Sequence, residues 1–126
     1  MMVTGSSAQK SLDAVAEGGN YIGVAVSYGG IVTHHSMIVS GSGIIGEGDG
    51  AEGMVNVVFE ISHDLKCWLG IDNARVMINS PGRPTGSGAN ISGGAWLFPA
   101  PYARARVVEW RCRAADATVT ATIAGA

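Results

Sequence analysis

The residues best equipped for chemistry fall in a few short clusters, and the densest of them is Ser62-His63-Asp64. These are the three residue types of a hydrolytic triad, in which a hydroxyl, an imidazole base and an orienting carboxylate converge in space. Consecutive side chains at a strand end diverge instead, because an extended chain sends them to alternate sides. No triad is expected there. Gly41-Ser42-Gly43 and Gly86-Ser87-Gly88 lack the Gly-x-Ser-x-Gly spacing of a nucleophile elbow and read as linkers. His34 and His35 are adjacent, so in a strand their rings face opposite ways and cannot share one metal ion. Glu47, Asp49 and Glu52 offer hard oxygen ligands among glycines, but not in the register of a calcium loop. Neither glycine-rich segment leads into Lys-Ser/Thr or a helical pattern, as a phosphate cradle does. The sequence therefore predicts no catalytic residue, no metal site and no cofactor.

Aromatic and cationic side chains offer a second kind of chemistry, recognition. Trp68, Trp96 and Trp110 have the ring faces of a sugar platform, but each also has a large area to bury, and the core or an interface is the preferred reading. Arg104, Arg106, Arg111 and Arg113 lie on one strand and its exit, divided by parity between two faces. Without interleaved exposed aromatics they suit bidentate pairing with carboxylates of neighbouring subunits better than a nucleic-acid stripe. Cys67 and Cys112 could pair across a sandwich, but are read as two buried free thiols, since a protein made inside a cell keeps its thiols reduced.

The elements that must carry these residues are strands. Val55, Val57, Phe59 and Ile61 alternate with Asn56, Val58, Glu60 and Ser62, which is the period of a half-buried strand. Val119, Ala121 and Ile123 alternate with Thr118, Thr120 and Thr122, and threonine on a wet strand face favours β structure. Ala103 to Arg113 also alternates, though which of its faces is core stays open. Weaker strand candidates are Ile22 to Tyr28, Ile31 to Val39, Cys67 to Ile71, Ala74 to Ile78 and Ala95 to Phe98. The 19 glycines work against long helices. An all-β fold follows: one antiparallel β-sandwich or jelly-roll-like domain over residues 1–126, with about seven or eight short strands, and residues 1–10 flexible or an extended arm. Phe59 and Trp68 are expected in its core.

Two loops exceed what hairpins need. Ser40 to Gly53 and Asn79 to Gly94 are candidate contact arms, since loops of such length without structure of their own are usually functional or disordered. Ile44, Ile45 and Ile91 are their apolar anchors, set among residues too small to bury them locally. Glu47 and Asp49 in the first loop and Arg83 in the second join Arg104 and Arg106 as candidate polar subunit contacts.

Composition points the same way. Charged residues make up 14% of the 126-residue chain, against roughly 25% in ordinary soluble proteins. A surface so short of charge suits a subunit covered by neighbours, because interface cores are depleted in charge. A net charge of -2 gives no footprint for nucleic acid or an anionic membrane. Met1 to Asp13 lacks an apolar signal core, and no run of about 18 apolar residues is present to span a bilayer. The signs are segregated: residues 1–64 hold one basic and seven acidic residues, residues 65–126 seven basic and three acidic. That segregation predicts a polarity that guides docking only if the fold keeps the two halves apart.

Three stretches together resemble a family of small β-sandwich proteins of tailed-bacteriophage virions. They are Ser11-Leu12-Asp13-Ala14-Val15 before a glycine turn and a strand, Val58-Phe59-Glu60-Ile61-Ser62-His63-Asp64-Leu65-Lys66-Cys67-Trp68, and Pro101-Tyr102-Ala103-Arg104-Ala105-Arg106-Val107 before a Thr/Val-alternating final strand. The chain departs from the pattern at Leu65, where the turn usually has glycine. The resemblance implies a non-enzymatic virion structural protein, assembled in the host cytoplasm: a capsid decoration or cement subunit that binds the major capsid protein. The low charged fraction adds the expectation of a homo-oligomer, a trimer to suit three-fold positions. The alternative that the resemblance implies is a tail or fibre module recognising a host surface glycan. It brings no catalytic residues.

Overall fold

The computed structural model describes residues 8–44, 53–80, 90–112 and 117–126. Among these there is no helix. Six strands, β1 (Gln9–Ala16), β2 (Val26–Ser42), β3 (Gly53–Ser62), β4 (Leu69–Ser80), β5 (Asn90–Arg111) and β6 (Thr118–Gly125), form one antiparallel sheet in the order β1-β6-β2-β5-β3-β4. The all-β expectation is met.

Two of the strands are long, 17 residues in β2 and 22 in β5, and both bend. Ser27 pairs with Tyr102 and Val32 with Ala100, so Tyr28, Gly29, Gly30 and Ile31 bulge out opposite Pro101 alone. A bulge of this kind turns a strand and increases its twist. At the corner β5 gains a second partner: Asn90 to Leu97 pair with β2, whereas Tyr102 to Arg111 pair with β3, and Tyr102 and Ala103 pair also with Ser27 and Val26 of β2. The sheet folds over on itself there. One half consists of β1, β6, the later part of β2 and the early part of β5. The other consists of the later part of β5 with β3 and β4.

The inner faces of the two halves share one core. Phe59 of β3 lies 5.0 Å from the ring of Trp96 and 5.3 Å from that of His35, both on the opposite half. At Gly41 a β-carbon would come within 2.5 Å of Ile78 Cδ1, so glycine lets β2 and β4 approach across the core. A seam closes the fold at the side. Val107 N–H donates to Tyr21 O, Gly23 N–H to Ala105 O and Val24 N–H to Ser11 O, each at 2.8 Å. The Ser11 hydroxyl donates to Val24 O and accepts from Ala105 N–H, also at 2.8 Å, and a β-carbon at Gly23 would collide with it.

The alternating strands bury the faces that their periods predict. Val55, Val57, Phe59, Ile61, Val119, Ala121 and Ile123 are fully buried. The open question over Ala103 to Arg113 has a physical answer. Val57 pairs with Val107 but Asn56 with Glu109, so Val108 is an extra residue that reverses the alternation. Ala103, Ala105 and Val107 face inward before it, and Cys112 is buried after it.

Several expectations are corrected. The eight candidate segments are not separate strands: Tyr28-Gly29-Gly30, Asp72-Asn73 and Pro99-Ala100-Pro101 bend or bulge a continuing strand instead of ending it, because a neighbour goes on pairing with it. β1 was not among them, since bulges at Ser11 and between Leu12 and Val15 break its period. Gln9 and Lys10 are part of that strand, paired with Ile123 and Thr122, and not of a free arm. Trp68 is only half buried, and Cys67 is exposed in the β3-β4 turn, whereas Cys112 is buried.

Candidate functional site

Ser62-His63-Asp64 builds a turn. The Ser62 hydroxyl accepts from Leu65 N–H at 2.9 Å and Asp64 N–H at 3.2 Å and donates to Asp64 Oδ1. Asp64 Oδ1 accepts from Cys67 N–H and Lys66 N–H at 2.9 Å each. Those backbone donors, Cys67 first, hold the Asp64 carboxyl below its ordinary range. Serine and aspartate are spent on the backbone, in the manner of an Asx turn. Leu65 closes the turn at φ 65°, a left-handed conformation that glycine adopts without cost.

The two adjacent histidines part as expected of a strand, His34 outward and His35 fully into the core. His35 Nε2 lies 2.5 Å from Phe98 O and must donate to it, which leaves Nδ1 to accept from the Tyr28 hydroxyl at 2.8 Å. Burial pushes the His35 pKa down, partly offset by the bond to Phe98, and pushes the Tyr28 phenol well above its usual range. The neutral pair pins the bulge of β2 to the bend of β5. It acts as a brace, and a mostly apolar cleft of about 210 Å³, lined in part by His34, His35, Ser36 and Ala95, opens beside it.

On the outer face of the folded-over half, Glu60 is buried and meets Arg104 Nε at 2.9 Å and Arg106 Nη2 at 3.2 Å. The Arg104 guanidinium also lies 4.2 Å from the centre of the Trp68 ring. Arg111 pairs with Glu109 of its own strand. The expectation that Arg104 and Arg106 reach for carboxylates of neighbouring subunits is corrected to this extent: their carboxylate is Glu60 of the same chain, supplied by the cross-strand register. Beside them a cleft of about 220 Å³ opens where β4 bulges opposite Phe59, lined in part by Glu60, Asn73, Arg75 and Arg106.

The other tryptophans are engaged as well. Trp96 stacks on Phe59, and Trp110 lies parallel to Tyr21 with ring centres 5.8 Å apart. Each of the three indoles thus has one face taken by a residue of its own chain.

The outer face of the β1-β6-β2-β5 half is different in kind. It presents Thr118, Thr120, Thr122 and Ala124 of β6, His34, Ser36, Ile38 and Ser40 of β2, and Ile91, Gly93, Ala95 and Leu97 of β5. Ile38, Ile91 and Leu97 are 52%, 72% and 66% exposed. No Asp, Glu, Lys or Arg occurs anywhere in β2, in β6, or in β5 before Arg104. Of the described charged residues, Lys10, Asp13 and Glu17 alone lie outside the segments that build the other half. Among the described residues, charged surface is thus segregated from uncharged surface.

Of the predicted contact anchors, Ile91 is exposed and fit for the role. Ile44 is not: it is fully buried against Gly41 and its surroundings in the chain's own core, so it anchors the end of β2 and no neighbour. Ile45, Glu47, Asp49 and Arg83 lie outside the described residues. Gly53 pairs with Ser80 and Gly41 with Asn90, so the strands leading into both long loops end together at one pole of the fold. Sequence reading missed the Tyr28-His35 brace and the Glu60-Arg104 pair, whose members meet only through tertiary register. No protein-family model matches the chain, and a search of curated proteins finds no significant relative.

Proposed function

We propose that this protein is a non-enzymatic structural subunit of a larger protein assembly, docking through the outer face of β6, β2 and early β5. The observation that carries this reading is that three neighbouring strands expose isoleucine, leucine, threonine, serine and alanine without one charged side chain. A free protein surface normally intersperses charge, whereas the centre of an interface excludes it. The polar groups that do have chemical potential support a structural role: Ser62 and Asp64 serve a turn, His35 and Tyr28 a corner, Glu60 its two arginines.

Within that reading, the resemblance stated above favours a bacteriophage virion and a decoration subunit on the major capsid protein, with copies of itself as further partners. A shell repeats its docking sites, so a weak contact per subunit suffices once subunits are linked. The glycan-binding alternative is less favoured, because each tryptophan ring has one face taken by a residue of its own chain.

The experiment is co-sedimentation with purified capsid shells, comparing the natural chain with Ile38→Asp. Binding by the natural chain and its loss in the variant, with unchanged circular dichroism, is the expected result. Binding that survives Ile38→Asp removes this face from the interface, and labelling of tails instead of heads in electron micrographs supports the alternative.

A further inference from the structure

The sheet has three open edges among the described residues, and two are guarded. β1 carries Lys10 and Asp13 and is broken by two bulges, with Ala14 at φ 47°. β4 carries exposed Arg75 and the bulge around Asn73 at φ 63°. Charges and bulges are the usual means of stopping a sheet edge from pairing with another chain. The third edge is early β5. It pairs with β2 on one side, and on the other no described strand covers it, because β3 joins β5 only from Tyr102 onward. Among the described residues nothing guards it: residues 90–98 (NISGGAWLF) contain no charge and no proline.

We propose that this edge pairs, antiparallel and across a two-fold axis, with the same edge of a second copy. The sequence of the edge is what selects a second copy over a foreign peptide. Centred on Gly94, the pairing sets Ile91 against Leu97 of the other copy, twice, and Gly93 against Ala95, twice. All four are outward residues, so large meets large and small meets small on one face. An isologous contact of this kind closes after two copies, whereas a ring would require β5 to meet a different edge, and both of those are charged. Pairing also joins the two uncharged faces into one continuous sheet surface. The inference rests on the reading of the chain as an assembly subunit and names one of its contacts; it does not need the assembly to be a virion.

The test uses the full chain in sedimentation velocity over a wide concentration range. The natural chain is expected to show a concentration-dependent dimer. Ile91→Glu alone and Leu97→Lys alone, at exposed positions that leave the circular-dichroism spectrum unchanged, should each weaken dimerisation at least tenfold, by placing a charge against an apolar residue. The double variant I91E/L97K puts opposite charges face to face across the axis and should recover the dimer, with an affinity that falls as salt rises. A chain that stays monomeric up to about 1 mM, a trimer as the first oligomer, or a double variant no better than the singles overturns the proposal. If the monomeric chain nevertheless binds capsid shells, the edge pairing has failed and the proposed function has not.

Discussion

The two halves of this sheet treat charge in opposite ways. On the β5-β3-β4 half, acidic and basic side chains sit on the outer face and satisfy one another, with Glu60 between Arg104 and Arg106 and Arg111 on Glu109. On the β1-β6-β2-β5 half, β6, β2 and early β5 carry no Asp, Glu, Lys or Arg, and their outer face is partly apolar. The difference teaches where to look for function in a chain without an evident active site. On the first face both glutamates are already paired with arginines of the same chain, while an uncharged exposed face leaves apolar surface that a partner would remove from water.

The strongest way to break the comparison is at the point where both halves meet. Phe59 touches the rings of His35 and Trp96 across the core, so Phe59→Ala should cost about 3 to 5 kcal/mol and lower stability of the two halves together. Denaturant unfolding followed at separate probes on each half checks this; unfolding of one half alone would show that they are independent units. Next, Glu60→Ala should cost on the order of 3 kcal/mol by leaving Arg104 without its carboxylate, measured by the shift in denaturation midpoint. If the loss is negligible, the pairing of Glu60 with Arg104 and Arg106 contributes nothing to the fold.

The corner offers a pH-dependent test on the uncharged half. Burial lowers the His35 pKa, so between its folded value and the unfolded value of 6.5 the unfolded chain binds the extra proton. The stability from neutral His35 is therefore fully present above pH 6.5 and is lost as pH falls below it, with a slope of at most about 1.4 kcal/mol per pH unit. Denaturation midpoints from pH 7.5 to 5 should show this decline, and His35→Gln should flatten it. The smallest effect belongs to the charged half's turn: Leu65→Gly should raise stability by about 1 kcal/mol, since glycine relieves the left-handed strain, as a change in melting temperature reads out.

How much of this was legible in the sequence depended on whether a strand kept its period. β3 and β6 alternate without interruption, and their core faces follow from the letters alone. The later part of β5 resisted because one extra residue, Val108, reverses the alternation, and nothing in the composition of the segment marks that position. β1 was hidden in the same way by its bulges. Ile44 misled because its neighbours in sequence are glycine and serine, while its neighbours in space, across from the end of β4, belong to the core. The Glu60-Arg104 pair spans 44 residues, and Tyr28 and His35 are joined only once a bulge folds the strand between them. The uncharged strands, by contrast, were visible as a low charged fraction before any contact was known.

The place of β6 in the sheet has a consequence for how the molecule is made. The last of the six strands lies between the first two, pairing with β1 through Gln9 to Ala16 and with β2 through His35 to Ser42. While the nascent chain is emerging from the ribosome, β1 and β2 have no strand to join them, and the inner face of β2 waits for Val119, Ala121 and Ile123. Closure of that half must therefore follow synthesis of β6, and a chain stalled or cut before residue 118 would present an uncharged, unpaired β2 edge to every copy of itself nearby.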